Sequence, residues 1–182
     1  MNILIADKLP QPALDKLGEL GHAITYEPTL SADALGQVLN DVQILIVRST
    51  KVPAEAIASA NALELIIRAG AGTNNIHVES ASQKGIFVTN CPGKNAVAVA
   101  ELAFGLILAL DRRIPLANAE IKTNQWNKKE YSKAQGIMGK TLGVIGLGTI
   151  GQEVITRARG FGLNVVGWSR SLTPEKAKTL GI

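Results

Sequence analysis

Apolar runs of four or five residues alternate with amphipathic stretches over the first half of the chain. Residues 2–6 (NILIA) are apolar almost throughout, which predicts a buried strand. Residues 11–20 follow at helical spacing, with Pro12 in the first turn and Gly21 just past the end. Residues 23–26 predict a second short strand. Ser31 is placed to cap a helix over 32–39. Residues 43–47 (QILIV) predict a third strand, 53–60 a third helix, and 64–68 (ELIIR) a fourth strand. A helix over 76–84 ends at Gly85, and 86–89 (IFVT) predicts the fifth strand.

The pattern then changes. Residues 95–110 are apolar nearly all round, with Asn95 as the expected N-cap. A helix without a polar face needs burial on every side. A chain this small offers little cover, so the helix predicts more protein around it, a partner subunit, or both. Arg112 and Arg113 close it, where cations suit the helix dipole. Pro115 breaks it and starts a short second helix, and residues 122–140 read as a polar loop. A second α/β pattern follows: a strand over 141–145 (TLGVI), a helix over 150–161 and a strand over 164–168 (NVVGW). The ending TPEKAKTLGI opens another helix, with Thr173 as N-cap and Pro174 first inside it. Five βα units in the first part predict an α/β fold, a parallel sheet wound in the flavodoxin manner, followed by the start of a second α/β domain.

Composition narrows the chemistry. Of the 182 residues, 46% are apolar and 19% charged, enough for a core. One Cys excludes a disulfide framework and a Cys-rich zinc site within the chain, and two His leave little for metal ligation. No metal site is expected. The longest apolar stretch carries Glu101 and falls short of the roughly 20 residues of a membrane span. The start MNILIADK does not read as a signal peptide, so a reduced, cytoplasmic setting is expected. Residues 1–110 hold 7 Lys/Arg against 10 Asp/Glu, while residues 111–182 hold 12 against 5. A basic second half suits an anionic cofactor or substrate. Its cations are scattered, with few aromatics between them, which disfavours nucleic acid.

Gly146-Leu147-Gly148-Thr149-Ile150-Gly151 matches GxGxxG, with a strand before it and a helix after it. In this context Gly146 permits the tight turn. Gly148 lets the backbone approach a pyrophosphate, and Gly151 lets the helix pack close to the strand. The helix start offers free N–H groups to the anion. An ordinary glycine-rich turn has the same letters; the strand–helix–strand setting favours the dinucleotide. The second strand ends Trp168-Ser169-Arg170-Ser171, with Ser169 where an acidic residue usually holds the ribose hydroxyls. Without that carboxylate a 2′-phosphate is not repelled, and Arg170 can pair with it. NADP is therefore favoured over NAD. A solvated Arg170 with NAD, or with either cofactor, is the alternative.

GKTLGVIGLGTIGQEV, together with the upstream RAGAGTNNIHVESASQKGIFVTNCPGKNAVAVAELAFGLILAL, resembles the D-isomer-specific 2-hydroxyacid dehydrogenases. VRSTKV at 47–52 is most similar to the D-3-phosphoglycerate dehydrogenase branch. The resemblance covers essentially the whole chain. It implies a substrate-binding, flavodoxin-like domain over 1–95. Residues 96–182 would be the interdomain helix and the first βαβ unit of an NAD(P)-binding Rossmann domain, truncated here. The helix over 95–112 would form much of a homodimer interface. Arg48 and Ser49 would reach the distal end of the substrate, where a guanidinium suits a phosphate; Thr50 and Lys51 are weaker candidates. Gly70, Ala71 and Gly72 would present backbone N–H groups to the substrate carboxylate. Thr149 and Ile150 would meet the pyrophosphate. Arg48 as a solvated residue and 70–72 as a simple turn are the plain alternatives.

The resemblance implies hydride transfer between NAD(P) and a 2-hydroxyacid or 2-oxoacid, with 3-phosphoglycerate as the expected substrate. Glyoxylate or hydroxypyruvate is the alternative. The family's catalytic Arg, Glu and His lie beyond the first βαβ unit, so no catalytic residue is expected among these 182, and the chain is expected to be inactive alone. His22 reads as a surface residue, His77 as the start of a helix and Cys91 as incidental. A non-catalytic dinucleotide-binding or dimerising module is the competing reading. A flavodoxin-type FMN site is disfavoured, because DKLPQ at 7–11 is no Ser/Thr-rich phosphate loop.

Overall fold

The computed structural model describes residues 1–182, which divide into two units, Met1–Lys94 and Asn95–Ile182. The first unit runs β1 (Asn2–Ile5), α1 (Gln11–Gly18), β2 (Ala23–Tyr26), α2 (Ala32–Val38), β3 (Ile44–Val47), α3 (Ala54–Ser59), β4 (Leu65–Arg68), α4 (Val78–Gln83) and β5 (Phe87–Thr89). Its strands form one parallel sheet in the order β2-β1-β3-β4-β5. The order reverses between β1 and β3, the switch point where open α/β sheets bind ligands beyond their C-terminal strand ends.

Alternation along the strands sorts side chains between two faces. Leu4, Leu45, Val47 and Ile66 pack with Leu35 within α2 and Leu39 just after it, Ile57 of α3 and Ala81 of α4. Ile3, Ile5 and Ile46 face the other way, against Leu14 and Leu17 of α1. Three helices thus cover one face and one covers the other. That is what right-handed crossovers require when β1→β2 runs one way and the later connections the other. Ser31 Oγ accepts the Ala34 N–H at 3.3 Å, capping α2. Lys84 Nζ donates to the carbonyls of Ile57, Ala58 and Ala60 at 2.9–3.0 Å, tying off the end of α3.

The second unit runs α5 (Ala96–Arg112), α6 (Ile114–Lys122), α7 (Lys128–Tyr131), β6 (Thr141–Ile145), α8 (Thr149–Gly160), β7 (Asn164–Trp168) and α9 (Pro174–Leu180). β6 and β7 pair in parallel. Ala96, Ala100 and Phe104 make the one buried stripe of α5, and Phe104 stacks on Phe161 at 5.3 Å between ring centroids. Arg157 of α8 joins Glu153 at 2.6 Å and Glu101 of α5 at 3.3 Å. Part of the apolar surface of α5 is open: Leu102, Leu106 and Leu110 are 65%, 56% and 78% exposed, while Ile107 and Leu108 are half-buried.

Three sequence expectations change. Asn95 does not cap α5 with its side chain. Its φ of −101° and ψ of 1° lie outside the extended region from which a cap side chain reaches back to the first turn. The break before Pro115 falls at Arg113, in the left-handed region at φ 50°. Within the stretch read as a loop, Lys128–Tyr131 forms a helical turn. Both Arg113 and the turn are held by one contact. The Arg113 guanidinium meets Glu130 Oε1 at 2.8 Å, donates to the Glu130 carbonyl and lies 5.1 Å from the Tyr131 ring centroid. Lys133 meets the same carboxylate at 2.6 Å. The two cations hold the Glu130 carboxyl down at about 2.

Candidate functional site

Two sets of residues carry candidate chemistry, one in each unit. In the first they lie beyond the C-terminal ends of β1, β3 and β4. Arg48 and Ser49 follow β3 and are exposed, and Thr50 is half-buried. The register pairs Val47 with Arg68, so Arg48 and Arg68 stand at the ends of adjacent strands. Arg68 Nε is buried and makes no hydrogen bond. The Arg68 side chain also covers Gly70, where an added Cβ would run into the guanidinium.

The Gly70-Ala71-Gly72 loop is less open than the sequence implies. The Gly70 N–H donates to the Arg68 carbonyl at 2.7 Å, and the Gly70 carbonyl accepts from the Cys91 N–H at 2.9 Å. Asn90 Nδ2 donates to the Ala71 carbonyl. The Ala71 and Gly72 N–H groups make no bond within the chain, so two of the three expected donors remain for a ligand. Two free N–H groups suit a carboxylate or phosphate, and the Arg68 guanidinium packed against Gly70 puts a cation on the same loop.

Sequence reasoning missed Asp7. Its Oδ2 accepts the N–H groups of Arg48, Ser49 and Thr50 at 2.7, 3.0 and 2.9 Å. Thr50 Oγ1 donates to the Ala6 carbonyl at 3.1 Å, and Asn75 Nδ2 donates to the Thr50 carbonyl at 2.8 Å. Burial is the largest single influence on the Asp7 carboxyl and pushes it up. The three N–H bonds and the Thr50 hydroxyl together outweigh it and hold the group below its ordinary 3.8. The signal was a lone Asp directly after a strand, legible only once β1 and β3 are known to be neighbours.

In the second unit the glycine loop has the form its motif implies. Gly146 turns at φ 94°, a left-handed conformation that disfavours any side chain. A Cβ on Gly151 would strike the Gly146 carbonyl, so strand end and helix meet only through glycine. Around Gly148 there is open space for a ligand backbone, and no side chain caps the start of α8. Gly148, Thr149 and Ile150 are exposed and Gly151 is buried. An uncapped twelve-residue helix with an open glycine edge fits a dinucleotide pyrophosphate. The Gly146 N–H donates to the Trp168 carbonyl at 2.8 Å, which brings Ser169 alongside the loop. Leu147, Gln152, Ser169, Ser171, Glu175 and Lys176 border a cavity of about 390 Å³. Arg170 is exposed and does not line it; the cation there is Lys176.

Neither histidine stands in an acid–base arrangement. His22 is exposed, and His77 caps α4 by accepting the Ser80 N–H on Nδ1 at 3.3 Å. Cys91 Sγ lies 3.9 Å from the Arg68 carbonyl. No group of three His, Cys, Asp or Glu side chains comes together, and no helix is long and apolar enough to cross a membrane.

Residues 3–179 match the family model described as D-isomer specific 2-hydroxyacid dehydrogenase, catalytic domain, and the chain belongs to that family. It is 42% identical over 183 residues to the D-3-phosphoglycerate dehydrogenase of Methanocaldococcus jannaschii. That match takes in 100% of this chain and 34% of the relative. It is 45% identical over 151 residues to the hydroxypyruvate reductase of Thermotoga maritima, across 82% of this chain and 48% of that one. Among solved structures, an acyclic imino acid reductase in complex with NADPH and D-Arg superposes with a TM-score of 0.85 at 30% identity. There 95% of this chain and 57% of the other are covered. The chain spans about a third of the length of the phosphoglycerate dehydrogenases it matches.

Proposed function

We propose that this chain supplies the substrate cradle and the cofactor phosphate loop of an NAD(P)-dependent D-2-hydroxyacid dehydrogenase acting on 3-phosphoglycerate. The observation that carries it is the pairing of Arg48 and Arg68 on adjacent strand ends, with an orphaned buried Nε on Arg68. The first unit is the substrate-binding domain. Arg48, with Ser49, takes the phosphate, because a phosphate dianion rewards a guanidinium's forked donors. Ala71 and Gly72 N–H groups and Arg68 orient the substrate carboxylate. The second unit opens the dinucleotide-binding domain. Gly148, Thr149 and Ile150 receive the pyrophosphate at the start of α8, and Ser169 faces the adenosine ribose. The bound nicotinamide supplies or accepts the hydride. NADP is favoured over NAD, because Ser169 brings no negative charge against a 2′-phosphate and Arg170 adds a cation at the same turn.

The open apolar face of α5 fits a homodimer through residues 95–112, since Leu102, Leu106 and Leu110 gain by leaving water together. No His–carboxylate pair is present to move the hydroxyl proton, so the 182 residues bind ligands but do not turn them over. Substrate binding is read by titrating the chain with 3-phosphoglycerate and with glycerate. Arg48→Ala is expected to lower affinity for the phosphate ester about 10- to 100-fold and barely change that for glycerate. Equal affinities for the two ligands in the unmodified chain reject the phosphate reading. NADPH-dependent reduction of 3-phosphohydroxypyruvate by these residues alone rejects the reading that they are inactive by themselves. Hydroxypyruvate as substrate is the second reading, supported by the Thermotoga relative's name and degree of identity; it predicts indifference to the phosphate. A non-catalytic dinucleotide-binding module is the third. It predicts tight NADPH binding with no response to either acid.

A further inference from the structure

At the β1/β3 switch point three successive backbone N–H groups, from Arg48, Ser49 and Thr50, converge on one carboxylate oxygen of Asp7. Successive N–H groups turned inward make a concave site for an anion. In an open α/β sheet this is the crevice where an anionic ligand would be met by backbone donors. Here the chain fills it from within. The last backbone bond of the β1/β3 ladder is Ala6 N–H to the Ile46 carbonyl at 3.0 Å. Beyond it the Asp7 side chain continues the connection, and Thr50 Oγ1 closes it from the other side onto the Ala6 carbonyl.

We infer that Asp7 is a positioning residue: its carboxylate occupies the backbone anion nest of residues 48–50 and so fixes the loop from which Arg48 and Ser49 reach an anionic substrate. Two consequences follow from the geometry. The N–H groups of the nest are spent, so a phosphate arriving beside Arg48 finds no free backbone donor in residues 48–50. A carboxylate also sits within an anion site, yet its charge is met by three N–H dipoles. The charged side chains on the same edge are Lys8 after β1, Arg48 and Lys51 after β3, and Arg68 at the end of β4; none hydrogen-bonds to Asp7. The ligand half of this inference rests on the phosphate reading of Arg48; the nest itself does not.

The test uses the ¹⁵N-labelled 182-residue chain. In acid titration the amide protons of Arg48, Ser49 and Thr50 are expected to shift together, with a midpoint below the ordinary aspartate value. In Asp7→Asn, which keeps one acceptor oxygen but cannot titrate, that shift disappears. Amides that stay still in the unmodified chain overturn the assignment. Binding is then measured with 3-phosphoglycerate. Asp7→Ala is expected to weaken it about 10-fold, Asp7→Asn less, and Asp7→Ala should add no further loss to Arg48→Ala. Losses that simply add, or tighter binding of 3-phosphoglycerate or inorganic phosphate by Asp7→Ala, overturn the positioning role. An unmodified chain that ignores 3-phosphoglycerate while its three amides still titrate rejects the substrate reading and leaves the nest established.

Discussion

The two units use the same strand–helix grammar and reach different degrees of closure. In Met1–Lys94, five strands are sandwiched between helices, and Leu4, Ile5, Leu35, Leu45 and Ile66 are fully or almost fully buried. In Asn95–Ile182, two strands carry a much smaller core of Val144, Ile155 and Ala158 with one stripe of α5, while Ile145, Val166 and Trp168 are 85%, 57% and 59% exposed. A parallel sheet needs both faces covered. Five strands give enough area for helices to do this; two do not. The two candidate sites differ in the same way. The first unit builds its edge from tertiary neighbours on three strands. The second builds its loop from six consecutive residues that need only the local strand and helix.

Several substitutions probe that difference. The largest effect is expected for Gly151→Ala. Its Cβ meets the backbone carbonyl of Gly146, which cannot rotate away. NADPH binding, followed by fluorescence, should fall at least ~100-fold; unchanged affinity would show that the loop is not a cofactor cradle. Next comes Ile66→Ala in the sealed core, expected to cost about 2–5 kcal/mol in urea unfolding. The matching truncation Leu106→Ala on open α5 should cost under about 0.5 kcal/mol while weakening self-association in sedimentation. Equal stability costs would erase the contrast between the units. Lys84→Met removes the cation holding three carbonyls at the C-terminal end of α3 and should cost about 1–2 kcal/mol, seen as faster hydrogen exchange at Ala58–Ala60.

The smallest effect is electrostatic. Glu130 has its carboxyl lowered from 4.5 to about 2 by Lys133 and Arg113. A depressed folded value stabilises above the unfolded one, so this contribution is present above about pH 4.5 and lost as pH falls towards 2. The group is solvent-exposed, so salt should weaken it. Loss of α7 order below pH 4, read from its amide shifts and abolished by Glu130→Gln, is the expected outcome. A turn that survives at pH 2 would assign it to something other than this contact.

The glycine loop was legible because everything it needs lies within one strand–turn–helix unit. Arg48 was legible as a cation after a strand, and Arg68 was not, because at the end of ELIIR it reads as a strand terminus. Its orphaned Nε appears only when the loop folds over it. The turn Lys128–Tyr131 was missed because a four-residue polar segment cannot nucleate a helix alone. It exists because Arg113, seventeen residues earlier, holds it. The open face of α5 was anticipated by its composition, but which stripe is covered depended on where α8 lies.

By itself the sequence determined the element order apart from α7, the parallel α/β class and the shape of the glycine loop. Hydrophobic period, cap residues and glycine conformation are local properties, and each acts within a few residues. Only the tertiary structure decided that Asp7 closes the switch point, that Gly70's N–H is already committed, and that Arg48 and Arg68 share an edge. Those facts depend on strand order. Strand order is set by which hydrophobic faces find cover together, and that is a property of the whole sheet rather than of any segment of it.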